Sequence, residues 1–230
     1  MPFQNSVRGS YGAQGSFNGS GNLQNYQVLN MSNWQATGNT GTVSTSGSGT
    51  TSVTVVQAGG SLGPWNRGSN SQTFSPPFTV EMVKTGPVTD DQSSYAMCGI
   101  VPSGKLSAMR SDASNSYQYG YLWYPTTTDS QANCYETPAS NSGTTGQANY
   151  PLGSWTSGST FRISVDSSGT IKYFNGTGGS PARTVTGMSG YTWAVSVSLY
   201  SISGVNSGFS GIRLNQGALW NPSTQKYYAG

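Results

Sequence analysis

The sequence predicts an all-β protein, a sandwich or barrel of about a dozen short strands, and three observations predict it. Apolar and polar residues alternate with period two in run after run. Turn residues punctuate those runs. No segment carries a 3.6-residue apolar period, so almost no helix is expected.

The alternation is legible strand by strand. Phe78, Val80 and Met82 interleave with Thr79 and Glu81. Phe161, Ile163 and Val165 interleave with Arg162, Ser164 and Asp166. Trp193, Val195, Val197 and Leu199 interleave with Ala194, Ser196 and Ser198. Each run buries one face and leaves the other polar, as antiparallel sheets do. Ser167-Ser168-Gly169 separates FRISVD from TIKYF and predicts a hairpin over 160–175. Gly59-Gly60 and Gly63-Pro64 close SVTVVQ, Pro76-Pro77 precedes FTVEMV, and Gly86-Pro87 ends it. No repeat of about 20–50 residues is present, which argues against a propeller or solenoid. Residues 1–25 are rich in Gly, Ser and Asn and lack alternation, so they read as an arm. They carry Phe3, Tyr11 and Phe17, which a mere linker would not need, so the arm is expected to touch another subunit or a carrier particle. Residues 26–215 form the sandwich and 216–230 a C-terminal tail.

Composition bounds the function. Only 7% of the 230 residues are charged, yet 14 Tyr, 6 Trp and 7 Phe argue for a packed chain rather than a disordered one. The net charge of +3 comes from scattered residues, so no nucleic-acid footprint is present. No apolar run approaches the ~20 residues that cross a bilayer, so no membrane insertion is expected. No signal peptide is visible. Cys98 and Cys134 lie in strand-like runs, where a free buried thiol is the commoner state, though two cysteines permit one disulfide.

Three segments carry a family resemblance. GSWTSGSTFRISVDSSGTIKYFNGT (153–177) is similar to the late hairpin of concanavalin-A-like jelly rolls. GPWNRGSNSQTFSPPFTVEMV (63–83) and YAMCGIV (95–101) resemble the same group's G-W-N segment and the strands after it. The resemblance spans about residues 28 to 214 and implies a two-sheet antiparallel jelly-roll sandwich of the lectin and glucanase type. Separately, NSVRGSYGAQG (5–15) resembles the leader of some virion surface proteins of marine phages and large algal viruses. That implies an extracellular or virion-surface location.

The chain contains no His, which removes His-based triads, bases and metal ligands. A hydrolase would have to use carboxylates about 5–5.5 Å apart. Glu81 and Glu136 are the only glutamates, and a cross-strand pairing of the two is the one conceivable dyad. The E-x-D-x-E strand of the laminarinase-like relatives and the glutamate strands of the small jelly-roll xylanases are both missing. Asp90-Asp91 could supply calcium ligands in a loop, but Thr89, Gln92 and Ser93 would leave the ion short of charge, and a solvated turn is the expected reading. No cofactor or metal is expected. Asn18, Asn30 and Asn175 open N-glycosylation sequons that arise by chance in so polar a chain.

The aromatic run SYQYGYLWYP is the most informative feature. In a strand, Tyr117, Tyr119, Tyr121 and Trp123 would share one face, with Leu122 and Tyr124 on the other. Aromatic faces beside amides suit sugar rings; they serve equally as core. The expected glycan-stacking residues are Tyr119, Tyr121, Trp123 and Tyr124. The sequence therefore predicts a non-catalytic surface protein whose partner is cell-surface carbohydrate. The alternatives are a structural subunit of a capsid decoration, fibre or filament, and a hydrolase using Glu81 and Glu136.

Overall fold

The structure, a computed structural model, describes residues 16–18, 22–31, 33–34, 41–58, 65–85, 94–111, 119–125, 131–136, 148–156, 158–176, 178–201 and 206–230. The chain runs through β1 (Ser16–Asn18), β2 (Asn22–Gln24), β3 (Tyr26–Gln27), β4 (Asn33–Trp34) and β5 (Thr42–Ser46). It continues through β6 (Val53–Ala58), β7 (Asn66–Ser69), β8 (Phe78–Thr85) and β9 (Ser94–Pro102). A 3-10 turn (Ser103–Lys105) and a short helix α1 (Leu106–Ser111) follow. Then come β10 (Tyr121–Pro125), β11 (Gln131–Glu136), β12 (Ala148–Ser154), β13 (Thr160–Val165) and β14 (Ile171–Asn175). The last strands are β15 (Arg183–Val185), β16 (Trp193–Ser201), β17 (Asn206–Gln216), β18 (Ala218–Asn221) and β19 (Lys226–Ala229).

Two antiparallel sheets make the sandwich. Among the described residues the front sheet has seven strands in the order β12-β11-β10-β9-β16-β7-β4. The back sheet has eight, β15-β14-β13-β8-β17-β6-β5, with β3 also pairing β17. Strands distant in sequence are central neighbours, β9 beside β16 and β8 beside β17, as a jelly roll requires. The predicted hairpin forms: Phe161 to Val165 pair with Asn175 to Ile171. Its turn closes by Gly169 N–H to Asp166 O at 2.8 Å. Gly169 has φ +78°, and a Cβ there would sit 2.2 Å from the Met188 carbonyl carbon, so no other residue fits.

The inward faces are those the alternation marks. Phe78, Val80 and Met82 of β8, Phe161, Ile163 and Val165 of β13, and Val195, Val197 and Leu199 of β16 are fully buried in one inter-sheet core. Cys98 and Cys134 are free and buried in it. Both lie opposite Trp123, one on each flanking strand. Two strand spacings, about 9–10 Å, separate their backbones, beyond disulfide reach. Burial raises both thiols well above their ordinary range.

Three features depart from the sequence reading. The helical stretch 103–111 is not expected from the sequence; its Met109 is buried and Leu106 partly so. The segment 216–230 is a hairpin rather than a tail, with Ala218 to Asn221 paired to Ala229 to Lys226. The described part of the arm packs on that hairpin. Leu23 joins Phe174, Ala218, Trp220 and Tyr227 in a satellite core. Asn22 Oδ1 accepts from Tyr227 N–H at 2.8 Å, and Asn25 N–H donates to Asn215 Oδ1 at 2.7 Å. Amide side chains, rather than apolar alternation, fasten this segment, which is why periodicity does not reveal it. Residues 1–15, where the arm's Phe3 and Tyr11 lie, are outside the described residues. No described helix is long and apolar enough to cross a membrane.

Candidate functional site: the outer face of the front sheet

The predicted aromatic stripe divides between two faces. Tyr121 and Trp123 point into the sandwich and are 2% and 0% exposed. Trp123 packs against Phe161 and Tyr173 at ring distances of 4.9 and 5.4 Å, and its Nε1–H donates to Arg162 O at 2.9 Å. Tyr121 donates its hydroxyl to Met188 Sδ at 3.2 Å. As stacking residues for a ligand in solvent both are therefore corrected to core. The physical reason is that β10 is central in its sheet, with β9 and β11 on either side, so its inward face has nowhere to go but the core.

Tyr119 does not continue the stripe. Gly120 has φ +125°, which turns the chain before β10 begins. Tyr119 thereby packs with Val101, Ala194 and Met109 on the opposite, outer face and is 5% exposed. Helix α1 covers this end of the outer face, with Ser196 Oγ donating to Met109 Sδ at 3.3 Å. Tyr119 is thus also a packing residue rather than an open platform.

Tyr124, the fourth candidate, belongs to a different set. Alternation puts Leu122 and Tyr124 on the outer face of the front sheet, opposite Tyr121 and Trp123. There Tyr124 belongs to one cluster with Trp65 before β7, Tyr95 of β9, Tyr135 of β11 and Tyr200 of β16. Tyr95 and Tyr200 are direct cross-strand partners, as are Leu122 and Tyr135. Trp65 lies 6.3 Å from Tyr95 in near-parallel stacking and 5.5 Å from Tyr200. Tyr124 meets Trp65 edge-on at 6.1 Å, Tyr95 at 5.8 Å and Tyr135 at 5.3 Å. Trp65 is 6% exposed and floors the patch, and the four tyrosines are partly exposed around it. Each ring pair adds about 0.5–1.5 kcal/mol beyond area burial, so the platform is rigid before any ligand arrives. Buried Arg67, Ser69, Ser198 and Asn133 share this face between the rings.

The platform residues Trp65, Tyr95, Tyr135 and Tyr200 are absent from the sequence-based candidates. They come from four separate segments, and no local run holds two of them. The one available signal was an aromatic at an outward position of a strand whose inward positions are already apolar, as Tyr95 and Tyr200 are.

The two glutamates do not meet. Glu81 stands on the outer face of the back sheet, opposite Arg162 and Arg213 in its neighbour strands. Its carboxylate lies 3.5 Å from Arg162 and 3.7 Å from Arg213 and accepts from the hydroxyls of Tyr227 at 2.6 Å and Tyr26 at 3.3 Å. Burial, then the Glu81 charge, raises the Tyr227 hydroxyl far above its ordinary value. Glu136 instead faces inward from the front sheet and is held by two bonds from Arg183, Nη2 to Oε2 being 2.7 Å. Arg183 also stacks on Tyr150 at 3.4 Å. The conceived cross-strand pair of Glu81 and Glu136 is not formed, because the two belong to different sheets and each is committed to arginine. Asp90 and Asp91 lie outside the described residues. Among the described residues no three His, Cys, Asp or Glu side chains gather to hold a metal.

Comparisons with known proteins bear on the fold. No protein-family model matches the chain, and no curated protein matches it. Among solved structures, the carbohydrate recognition domain of Emp47p aligns with 88% of this chain and 100% of its own at 11% identity, with a TM-score of 0.50. A β-glucanase of Bacillus licheniformis aligns over 83% and 97% at 14% identity and 0.48. A legume lectin-like domain from Entamoeba histolytica aligns over 78% and 88% at 8% identity and 0.47. The likeness of the N-terminal leader to virion proteins falls outside the described residues and gains no support from these neighbours. The chain's two antiparallel sheets form a jelly-roll sandwich, a fold it shares with the carbohydrate recognition domain of Emp47p.

Proposed function

We propose that the protein is a non-catalytic carbohydrate-binding domain that takes neutral glycan on the outer face of its front sheet. The observation that carries this reading is the platform of Trp65, Tyr95, Tyr124, Tyr135 and Tyr200, gathered from five segments onto one face. Sugar rings offer C–H faces to such rings and hydroxyls to the phenols at their edges. The chain's 7% charged fraction favours a neutral ligand over an ionic one. The lectin-type fold supports the reading by analogy alone. Stacking with a few hydrogen bonds gives a per-site dissociation constant on the order of 0.1–1 mM, about 4–5.5 kcal/mol. Display of many copies on a cell surface, appendage or particle would lower the apparent constant by avidity.

The test is an array of neutral oligosaccharides probed with the wild-type chain and with Tyr124→Ala. Binding by the wild type, weakened tenfold or more in a variant that stays folded and loses only about 2–4 °C of melting temperature, supports the proposal. No binding to any neutral glycan overturns it and leaves the structural-subunit reading, which native particle size then examines.

A further inference from the structure

A second cleft opens on the other side of the molecule, on the outer face of the back sheet. It has a volume of about 230 Å³ and lies between β13, β14 and the C-terminal hairpin. Phe174 and Trp220 form its apolar wall, 3% and 6% exposed, and Tyr228 stands at its mouth, 44% exposed. The Trp220 ring is fixed in place by Arg162, whose guanidinium sits 3.8 Å from its centroid, and by Tyr227 at 5.1 Å.

Polar groups converge at the rim with bonding capacity unspent. Asp166 Oδ1 already accepts from Ser168 N–H, Ser168 Oγ and Thr170 N–H at 3.0, 2.6 and 2.9 Å. Its other oxygen has no partner among the described residues. Burial pushes this carboxyl up, but those three bonds outweigh it, so Asp166 is ionised at neutral pH. Asn221 Oδ1 accepts from Ser223 and Thr224 N–H at 3.0 and 3.2 Å, which orients its amide and leaves its NH₂ unused among the described residues. The Lys172 ammonium and the Tyr228 hydroxyl likewise make no hydrogen bond to a described residue.

We propose that this cleft is a carbohydrate site for a single neutral pyranose, separate from the front-face platform. The Asp166 and Lys172 charges balance, so a net-charged ligand would gain little. A purely apolar ligand would leave a carboxylate, an ammonium and an amide at the rim without partners. A sugar ring matches both halves of the site: a C–H face for Trp220 and Tyr228, and adjacent hydroxyls to donate to Asp166 and accept from Lys172 and Asn221. The volume holds one ring and no chain of rings. The site depends on the hairpin 218–229, a decoration outside the two sheets.

Backbone amide NMR of the full chain, titrated with the methyl pyranosides of glucose, galactose, mannose and N-acetylglucosamine, tests this. The expected result is saturable shifts at Asp166–Thr170 and Leu219–Asn221 with at least one probe, at a dissociation constant on the order of 1–10 mM. Tyr228→Ala and Lys172→Ala, both surface changes, should each weaken those shifts at least fivefold without lowering the melting temperature. Shifts confined to the front-face platform would overturn the second site while sparing the first. No saturable shift in the cleft with any of the four probes would also overturn it. So would shifts that survive both substitutions.

Discussion

The two outer faces of the sandwich obey the same alternation and meet opposite fates. On the back sheet, the outward residues Glu81, Arg162 and Arg213 form an ionic cluster, and the chain's own ends close over it with Tyr26 and Tyr227. On the front sheet, the outward residues Trp65, Tyr95, Tyr124, Tyr135 and Tyr200 form a partly exposed aromatic platform. Around Glu81 the back face is thus a structural joint whose polar groups pair with one another. The front face holds rings whose edges still meet solvent. Alternation shows which residues share a face; it does not show what lies over that face.

Substitutions should affect the two faces to different degrees. The largest effect is expected from Trp123→Ala, which lies under the platform but points into the core. Losing a fully buried indole should cost about 3–5 kcal/mol, and chemical denaturation will measure it. A Trp123→Ala chain of unchanged stability would put the stripe back on a surface. Next comes the back face. Glu81→Ala strands Arg162, itself mostly buried, and should cost about 2–4 kcal/mol. Tyr227→Phe should cost about 1–2 kcal/mol, the loss of one charge-assisted bond, and both should loosen the C-terminal hairpin in hydrogen exchange. If Glu81→Ala is neutral, the back face is not the joint described.

Lys84 places a buried cation between the faces. It is 1% exposed, donates to Thr85 O at 2.5 Å and Ser207 Oγ at 3.2 Å, and is lowered by burial from 10.5 to about 8. The unfolded chain therefore holds this proton more tightly than the folded one. Below pH 8 both states are protonated and the full penalty, up to about 3 kcal/mol, is present. It is relieved as pH rises from 8 to 10.5. Lys84→Met should stabilise the protein at neutral pH, and its advantage over the wild type should fade across that window. The smallest stability effect is expected on the front face, where Tyr124→Ala should cost about 1 kcal/mol while weakening glycan binding tenfold or more.

Much of the fold is readable in the chain. FRISVD, the Ser-Ser-Gly turn and TIKYF specify one hairpin almost completely, because period, turn chemistry and β-propensity agree there. The platform is not readable, since its five rings are brought together only by sheet order. The stripe 117–123 misleads for a local reason: Gly120, with φ +125°, reverses the register between Tyr119 and Tyr121. The N-terminal segment is fastened to the C-terminal hairpin through Asn22 and to β17 through Asn25 and Asn215, and these amide bonds leave no periodic trace.

Glycan binding on the front face is tested most directly by residue-resolved NMR mapping of a bound neutral oligosaccharide taken from the array. Saturable shifts are expected at Tyr95, Tyr124, Tyr135 and Tyr200, with the amides of Tyr26, Glu81 and Arg213 unmoved. Saturable shifts at Tyr26, Glu81 and Arg213 with the platform silent would contradict it.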